Sequence, residues 1–266
     1  MIRKTIFQGF AILIVFFSIW FALSKIDFVS VFRLQEIQNS SENKVGDLIW
    51  GEISRTESVV ENDSIIEKLE MLIDPICKKN NINSDSLKIH LVQKDEINAF
   101  ALPNNHLVVY TGLILKCKRQ EALQGVLGHE IAHITHQHVM KKLSKEIGLS
   151  ILLSATAGEK GGVLLKEILQ TLTSSAYDRS LEKEADMASV NYLLNAGINP
   201  EPFADFMYEL AQEQTLSENL YWISSHPESK ERAKYILEFL KGKSLEKKKT
   251  LSDKEWESYK KQVKAD

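Results

Sequence analysis

Two cysteines in a chain of 266 residues exclude a disulfide framework, and Cys77 and Cys117 are either one bridge or two buried thiols. A dominant charge is missing too. The 33 basic and 36 acidic residues leave a formal net charge of −3, which speaks against a polyanion-binding surface, and no nucleic-acid partner is expected. No internal repeat is visible, and beyond the first 25 residues there is no long apolar run. The best later candidate, "IGLSILLSATAG" from Ile147 to Gly158, is too short to cross a bilayer comfortably and reads as a core helix.

What is present is an ordinary globular composition, 44% hydrophobic and 26% charged, enough for the core of one sizeable domain with appendages. The chain opens with "MIRKTIFQGFAILIVFFSIWFALSK", in which Arg3 and Lys4 precede an apolar run from Ile6 to Leu23. A helix of that length matches a hydrocarbon core of ~30 Å, so residues 6–23 are expected to anchor the chain in a membrane. A signal peptide cleaved near Ala22-Leu23-Ser24 is the alternative. Either one sends the remainder across the membrane, to the periplasm or the outer face of an inner membrane, because the positive charges come first.

Beyond the anchor (residues 1–25), residues 26–62 turn polar and read as a linker or weak helix. Residues 63–242 carry the patterned domain, and 243–266 form a charged tail read as a solvated helix or frayed end. Ile65, Leu69, Leu72 and Ile76 make a helical stripe, with Asp63 or Ser64 as its N-cap and Glu67 placed to complete a capping box. Between Leu87 and Leu115 the period changes to that of strands, in "LKIHLV", "INAFAL" and "HLVVYTGLIL". Helical patterning resumes at Arg119. The expected class is α+β, mostly helical with a small antiparallel sheet.

Four of the seven histidines fall in "GHEIAHITHQH", Gly128 to His138. His129, Glu130 and His133 spell H-E-x-x-H. On a helix, residues four apart lie about 40° apart around the axis and ~6 Å along it, so both imidazoles reach one point. Glu130, about 100° round, can touch a metal-bound water without being a ligand. Two neutral nitrogens on a metal and a carboxylate for the water's proton are what a zinc hydrolase needs. Valine at 139 and histidine at 136 exclude the H-E-x-x-H-x-x-G-x-x-H class. His136 lies ~10 Å along the axis from His129, too far to share its ion, and His138 faces nearly opposite as a surface or packing residue. A third ligand comes best from "YDRSLEKEADMASVNYLL". There Glu182 and Asp186 share one helical face, Glu182 to bind the metal and Asp186 to accept a ligand histidine's other N–H. Glu184, about 200° from Glu182, points away. His90 and His106 are read as strand or turn residues.

"NAFALP" (Asn98–Pro103), "TGLIL" (Thr111–Leu115), "GHEIAH", "RSLEKEAD" (Arg179–Asp186) and "SHPESKER" (Ser225–Arg232) occur in this order. Together they resemble the M48 family of zinc metallopeptidases, in its branch of periplasmic and mitochondrial members. Departures from the usual pattern are "PNN" in place of Pro-Gly-Gly and Ala132 in place of Gly. The resemblance implies a zincin-type metallopeptidase domain holding one zinc ion on His129, His133 and Glu182, with Asp186 as the supporting carboxylate and Glu130 as general base. It also implies a substrate-binding edge strand at Asn98, Ala99, Phe100 and Ala101, and it brings His226 near the metal. His226 is then a catalytic oxyanion donor or a resting-state zinc ligand. The expected activity is endoproteolysis of extended or misfolded proteins in the cell envelope, since an edge strand pairs with extended chain. A self-blocked, zinc-binding, chaperone-like module is the alternative.

Overall fold

Apolar stripes at helical spacing mark several of the helices in this chain. The computed structural model describes residues 34–148, 165, 168–172, 176–213, 221–245 and 248–266. Its contacts separate residues 1–41 from a compact unit, Glu42–Asp266, which carries everything described below except the start of the first helix. The candidate membrane run at residues 6–23 lies outside the described residues. Among those described, no helix is long and apolar enough to cross a membrane.

Helix α1 (Leu34–Thr56) occupies much of the stretch read as linker, and its residues Val45, Ile49 and Ile53 are buried at helical spacing. Helix α2 (Asp63–Lys79) buries the predicted stripe of Ile65, Leu69, Leu72 and Ile76. Asn62 is its N-cap and no side chain caps it, so the expected capping box is not formed. Three strands follow: β1 (Lys88–Val92), β2 (Ala99–Leu102) and β3 (His106–Tyr110). Between β2 and β3, Asn104 and Asn105 take left-handed φ values of 62° and 60°, which asparagine tolerates better than most residues.

The sheet corrects the expectation of an all-antiparallel arrangement. Its order is β1-β3-β2, with β2 antiparallel and β1 parallel to β3. Residues 93–98 are long enough to carry the chain past the end of β3 to its far side, so β1 and β2 never pair. Both faces of this small sheet are covered. Leu91, Ala99, Leu107 and Val109 join the main core with α2. Val92, Phe100, Leu102, Val108 and Tyr110 pack under α1, a later helix and Ile168 and Leu172.

The remaining helices are α3 (Thr111–Lys116), α4 (Gln120–Thr135), α5 (His138–Glu146), α6 (Arg179–Asn195), α7 (Glu201–Glu213), α8 (Tyr221–Ser225), α9 (Ser229–Leu240) and α10 (Asp253–Ala265). Helix α10 lies in the charged tail, yet it is neither frayed nor solvated all round. Trp256, Tyr259 and Val263 enter the main core, Ser252 and Glu255 form a capping box, and Gln120 holds the backbone of Leu251 from both sides.

Candidate metal centre

Helix α4 is buried on every side from Gln120 to His133, which requires its neighbours to come very close. Glycine permits this. A Cβ on Gly125 would stand 2.3 Å from Phe203 Cβ, and one on Gly128 would stand 2.8 Å from Ser189 Oγ. Ser189 Oγ–H donates to the Gly125 carbonyl at 2.7 Å and so ties α6 to α4. This contact sets Glu182 of α6 opposite His129 and His133 of α4.

Four side chains then converge. His129 Nε2 lies 3.0 Å from His133 Nε2 and 3.2 Å from His226 Nδ1. Glu182 Oε1 lies 2.9 Å from His226 Nδ1 and 3.4 Å from His133 Nε2, and Glu182 Oε2 lies 3.7 Å from His129 Nε2. A tetrahedral ion with bonds of about 2.0 Å holds its ligand atoms roughly 3.3 Å apart, so these residues fit one divalent ion of the zinc type. His129, His133, Glu182 and His226 are the group that can hold a metal among the described residues.

The carboxylates are charged. Burial alone would raise Glu182, but the charges of His226 and Arg232 and hydrogen bonds from His133 and His226 hold it well below the usual range. Asp186 is held down at about 2, where Arg232 and His129 outweigh complete burial. It accepts from His129 Nδ1 at 2.8 Å, a contact that holds that ring in one tautomer and orientation. Arg232, on α9, donates to both Asp186 oxygens at 2.8 and 2.7 Å, to the His226 carbonyl at 3.1 Å, and pairs with Glu182 Oε2 at 2.7 Å. Tyr235 O–H also donates to Asp186.

Glu130 sits beside this cluster with both oxygens engaged. Trp222 Nε1–H donates to Oε1 at 3.1 Å and the Ala101 backbone N–H donates to Oε2 at 3.2 Å, while His226 Nε2 is 3.4 Å from Oε1. Strand β2 is thus the sheet edge nearest the site. Asn98 C=O accepts from Tyr110 N–H, so the even-numbered backbone groups face β3 and those of Ala99 and Ala101 face outward. Asn98 Oδ1 is buried without a hydrogen-bond partner. Asn98, Ala99, Phe100 and Ala101 are all buried, as are the four clustered side chains. Tyr177 closes over them, its ring 4.2 Å from that of His133 and 5.5 Å from that of His226. Lys142 caps Tyr177 at 4.0 Å. Burial pushes the Lys142 ammonium down to about 8 against the pull of Glu182 and Glu130.

His138, read from the sequence as a surface or packing residue, is a buried one, and it does not face away from His133. Helix α4 stops at Thr135, Gln137 turns left-handed at φ 56°, and α5 starts at His138 in a new direction. His138 is fully buried and its Nδ1 lies 3.1 Å from His133 Nδ1. Glu184, expected to point away from the face of Glu182, has a half-exposed side chain that reaches His138 Nε2 at 3.3 Å. Trp222, Arg232, Tyr177 and His138 are the site residues that sequence reasoning missed. Two carried a local signal: Trp222 is four residues before His226, and Arg232 interrupts the apolar stripe of α9.

The model of peptidase family M48 matches residues 63–239, which include the whole cluster. This chain belongs to peptidase family M48. The chain is 30% identical over 165 residues to Metalloprotease LoiP of Escherichia coli, covering 59% of this chain and 64% of that one. It is 28% identical over 156 residues to the mitochondrial metalloendopeptidase OMA1 of Schizosaccharomyces pombe, covering 58% and 46%. It is 27% identical over 187 residues to a putative beta-barrel assembly-enhancing protease of Vibrio cholerae, covering 63% and 38%. The matches thus span less than two thirds of these relatives' own length.

Proposed function

We propose that this chain is a zinc-dependent endopeptidase with a self-blocked resting state. The observation that carries the reading is the convergence of one ligand atom from each of His129, His133, Glu182 and His226 within 4.8 Å of one another, next to Glu130. A bound zinc ion would supply Lewis acidity toward the scissile carbonyl and the attacking water. Glu130 accepts the proton of that water and passes it to the departing amine. Asp186 and Arg232 keep His129 and Glu182 oriented while this happens. His226 Nδ1 lies within the ligand cluster, which favours a resting-state ligand over an oxyanion donor.

An extended peptide adds to β2 through the outward backbone groups of Ala99 and the Ala101 carbonyl, the Ala101 N–H being held by Glu130, and the Asn98 Oδ1 acceptor offers one further bond. Such pairing reads backbone more than side chains, so the proposed substrates are extended or misfolded proteins. The charge order around residues 3–23 and the names of the beta-barrel assembly-enhancing relatives support work outside the cytoplasm, on envelope proteins. The test is casein digestion by wild type, with and without a chelator, and by Glu130→Gln. Loss of digestion in both treated samples is expected, with zinc retained by the variant. Undiminished digestion by Glu130→Gln would overturn the mechanism, and a zinc-loaded wild type that never cleaves would leave the chaperone-like reading standing.

A further inference from the structure

Two histidines presenting Nε2 to one ion must both carry their remaining proton on Nδ1, and each of those protons needs an acceptor. For His129 the acceptor is Asp186, already held by Arg232. For His133 it is a nitrogen, His138 Nδ1 at 3.1 Å. A histidine that accepts on Nδ1 is protonated on Nε2, and His138 Nε2 lies 3.3 Å from Glu184 Oε2. The chain of donors therefore has one direction: His133 Nδ1–H to His138 Nδ1, and His138 Nε2–H to Glu184.

We propose that His138 and Glu184 form a positioning relay for His133, fixing its tautomer and ring orientation as Asp186 does for His129. This inference rests on the zinc reading above and adds residues to it. The relay joins three helices, since His133 lies in the last turn of α4, His138 begins α5, and Glu184 stands on α6 two residues beyond Glu182. The left-handed Gln137 is what makes it possible, because a continuous helix would carry His138 away from His133. The two arms of the site differ in where they end. The His129 arm ends on a carboxylate with no exposure, locked by Arg232. The His133 arm ends on one whose side chain is 49% exposed. The surface thus communicates with the metal through Glu184, a residue that touches neither the ion nor the substrate strand.

The competing explanation is packing, since the Tyr177 ring also rests on His133. Glu184 separates the two explanations because removing an exposed carboxylate leaves no cavity. The experiment measures zinc affinity by competition with a chromophoric chelator, and the visible spectrum of the cobalt(II)-substituted protein. The proteins are wild type, Glu184→Ala, Glu184→Gln, His138→Phe and Asp186→Asn. Glu184→Ala should weaken zinc binding about three- to tenfold and shift the cobalt bands, with unchanged melting of the metal-free protein. Glu184→Gln, whose carboxamide oxygen still accepts, should restore both. His138→Phe should weaken binding roughly 10- to 100-fold. If that variant fails to fold, the Glu184 pair decides alone. Wild-type affinity and an unaltered cobalt spectrum in Glu184→Ala would overturn the relay while Asp186→Asn still shows a loss. A wild type that binds no zinc would overturn the metal reading itself, and the relay with it.

Discussion

Trp222 Nε1–H donates to Glu130 Oε1 across 3.1 Å of protein interior, joining α8 to the metal-motif helix. With Ala101 N–H on the other oxygen, the carboxylate has a fixed place beside the ligand cluster. Trp222→Phe keeps most of the ring but removes the donor, leaving a buried carboxylate oxygen short of a partner. Peptidase rate should fall about 10-fold with zinc content unchanged. Loss of zinc in that variant would show that Trp222 supports the ligands and not the base.

His226→Ala tests the resting arrangement. If His226 Nδ1 fills a ligand position, removing it opens that position and peptidase rate should rise several-fold with zinc retained. A fall of roughly 10²–10³-fold with zinc retained would instead assign an oxyanion donor.

Gly125→Ala asks whether the close approach around α4 is needed. Its Cβ would collide with the Phe203 side chain, which is itself fully buried and cannot swing away. Destabilisation of about 1–3 kcal/mol is expected from the overpacking. A urea midpoint equal to wild type would mean that α7 can slide away without penalty.

Acid should weaken the contact between α1 and the sheet. His90 stacks on Trp50 at 3.6 Å and hydrogen-bonds His106, which in turn bonds Asp47 at 2.9 Å. Burial, helped by the charges of His106 and Lys88, pushes the His90 imidazole down to about 4. Unfolded, it titrates near about 6.5, so between those values the folded chain binds fewer protons. The contribution is complete above about pH 6.5 and is lost as pH falls toward about 4, amounting to roughly 1–2 kcal/mol for a partly exposed group. Urea midpoints at pH 7.5 and 5 check this, and His90→Phe should narrow the difference between them. An equal drop in the variant would place the acid sensitivity elsewhere.

The residues that could be read without a fold are those whose geometry is local. His129 and His133 share a face because one turn of one helix relates them, and Glu182 and Asp186 do so for the same reason. Family motifs in order along the chain added His226 and the β2 strand. What failed was each step that depended on a partner distant in sequence or on a break in periodicity. His138 was placed on the face opposite His129 because periodicity cannot foresee the left-handed residue at Gln137, and its contact with Glu184 follows from that turn. The parallel pairing of β1 with β3 depends on the path of residues 93–98, and a strand's own alternation is identical in either orientation. Trp222 and Arg232 look like one more aromatic and one more charge until tertiary packing buries them against Glu130 and Asp186. Burial is what converts such contacts from surface chemistry into site chemistry, because an unpaired polar group in the interior is costly and a paired one is held in place.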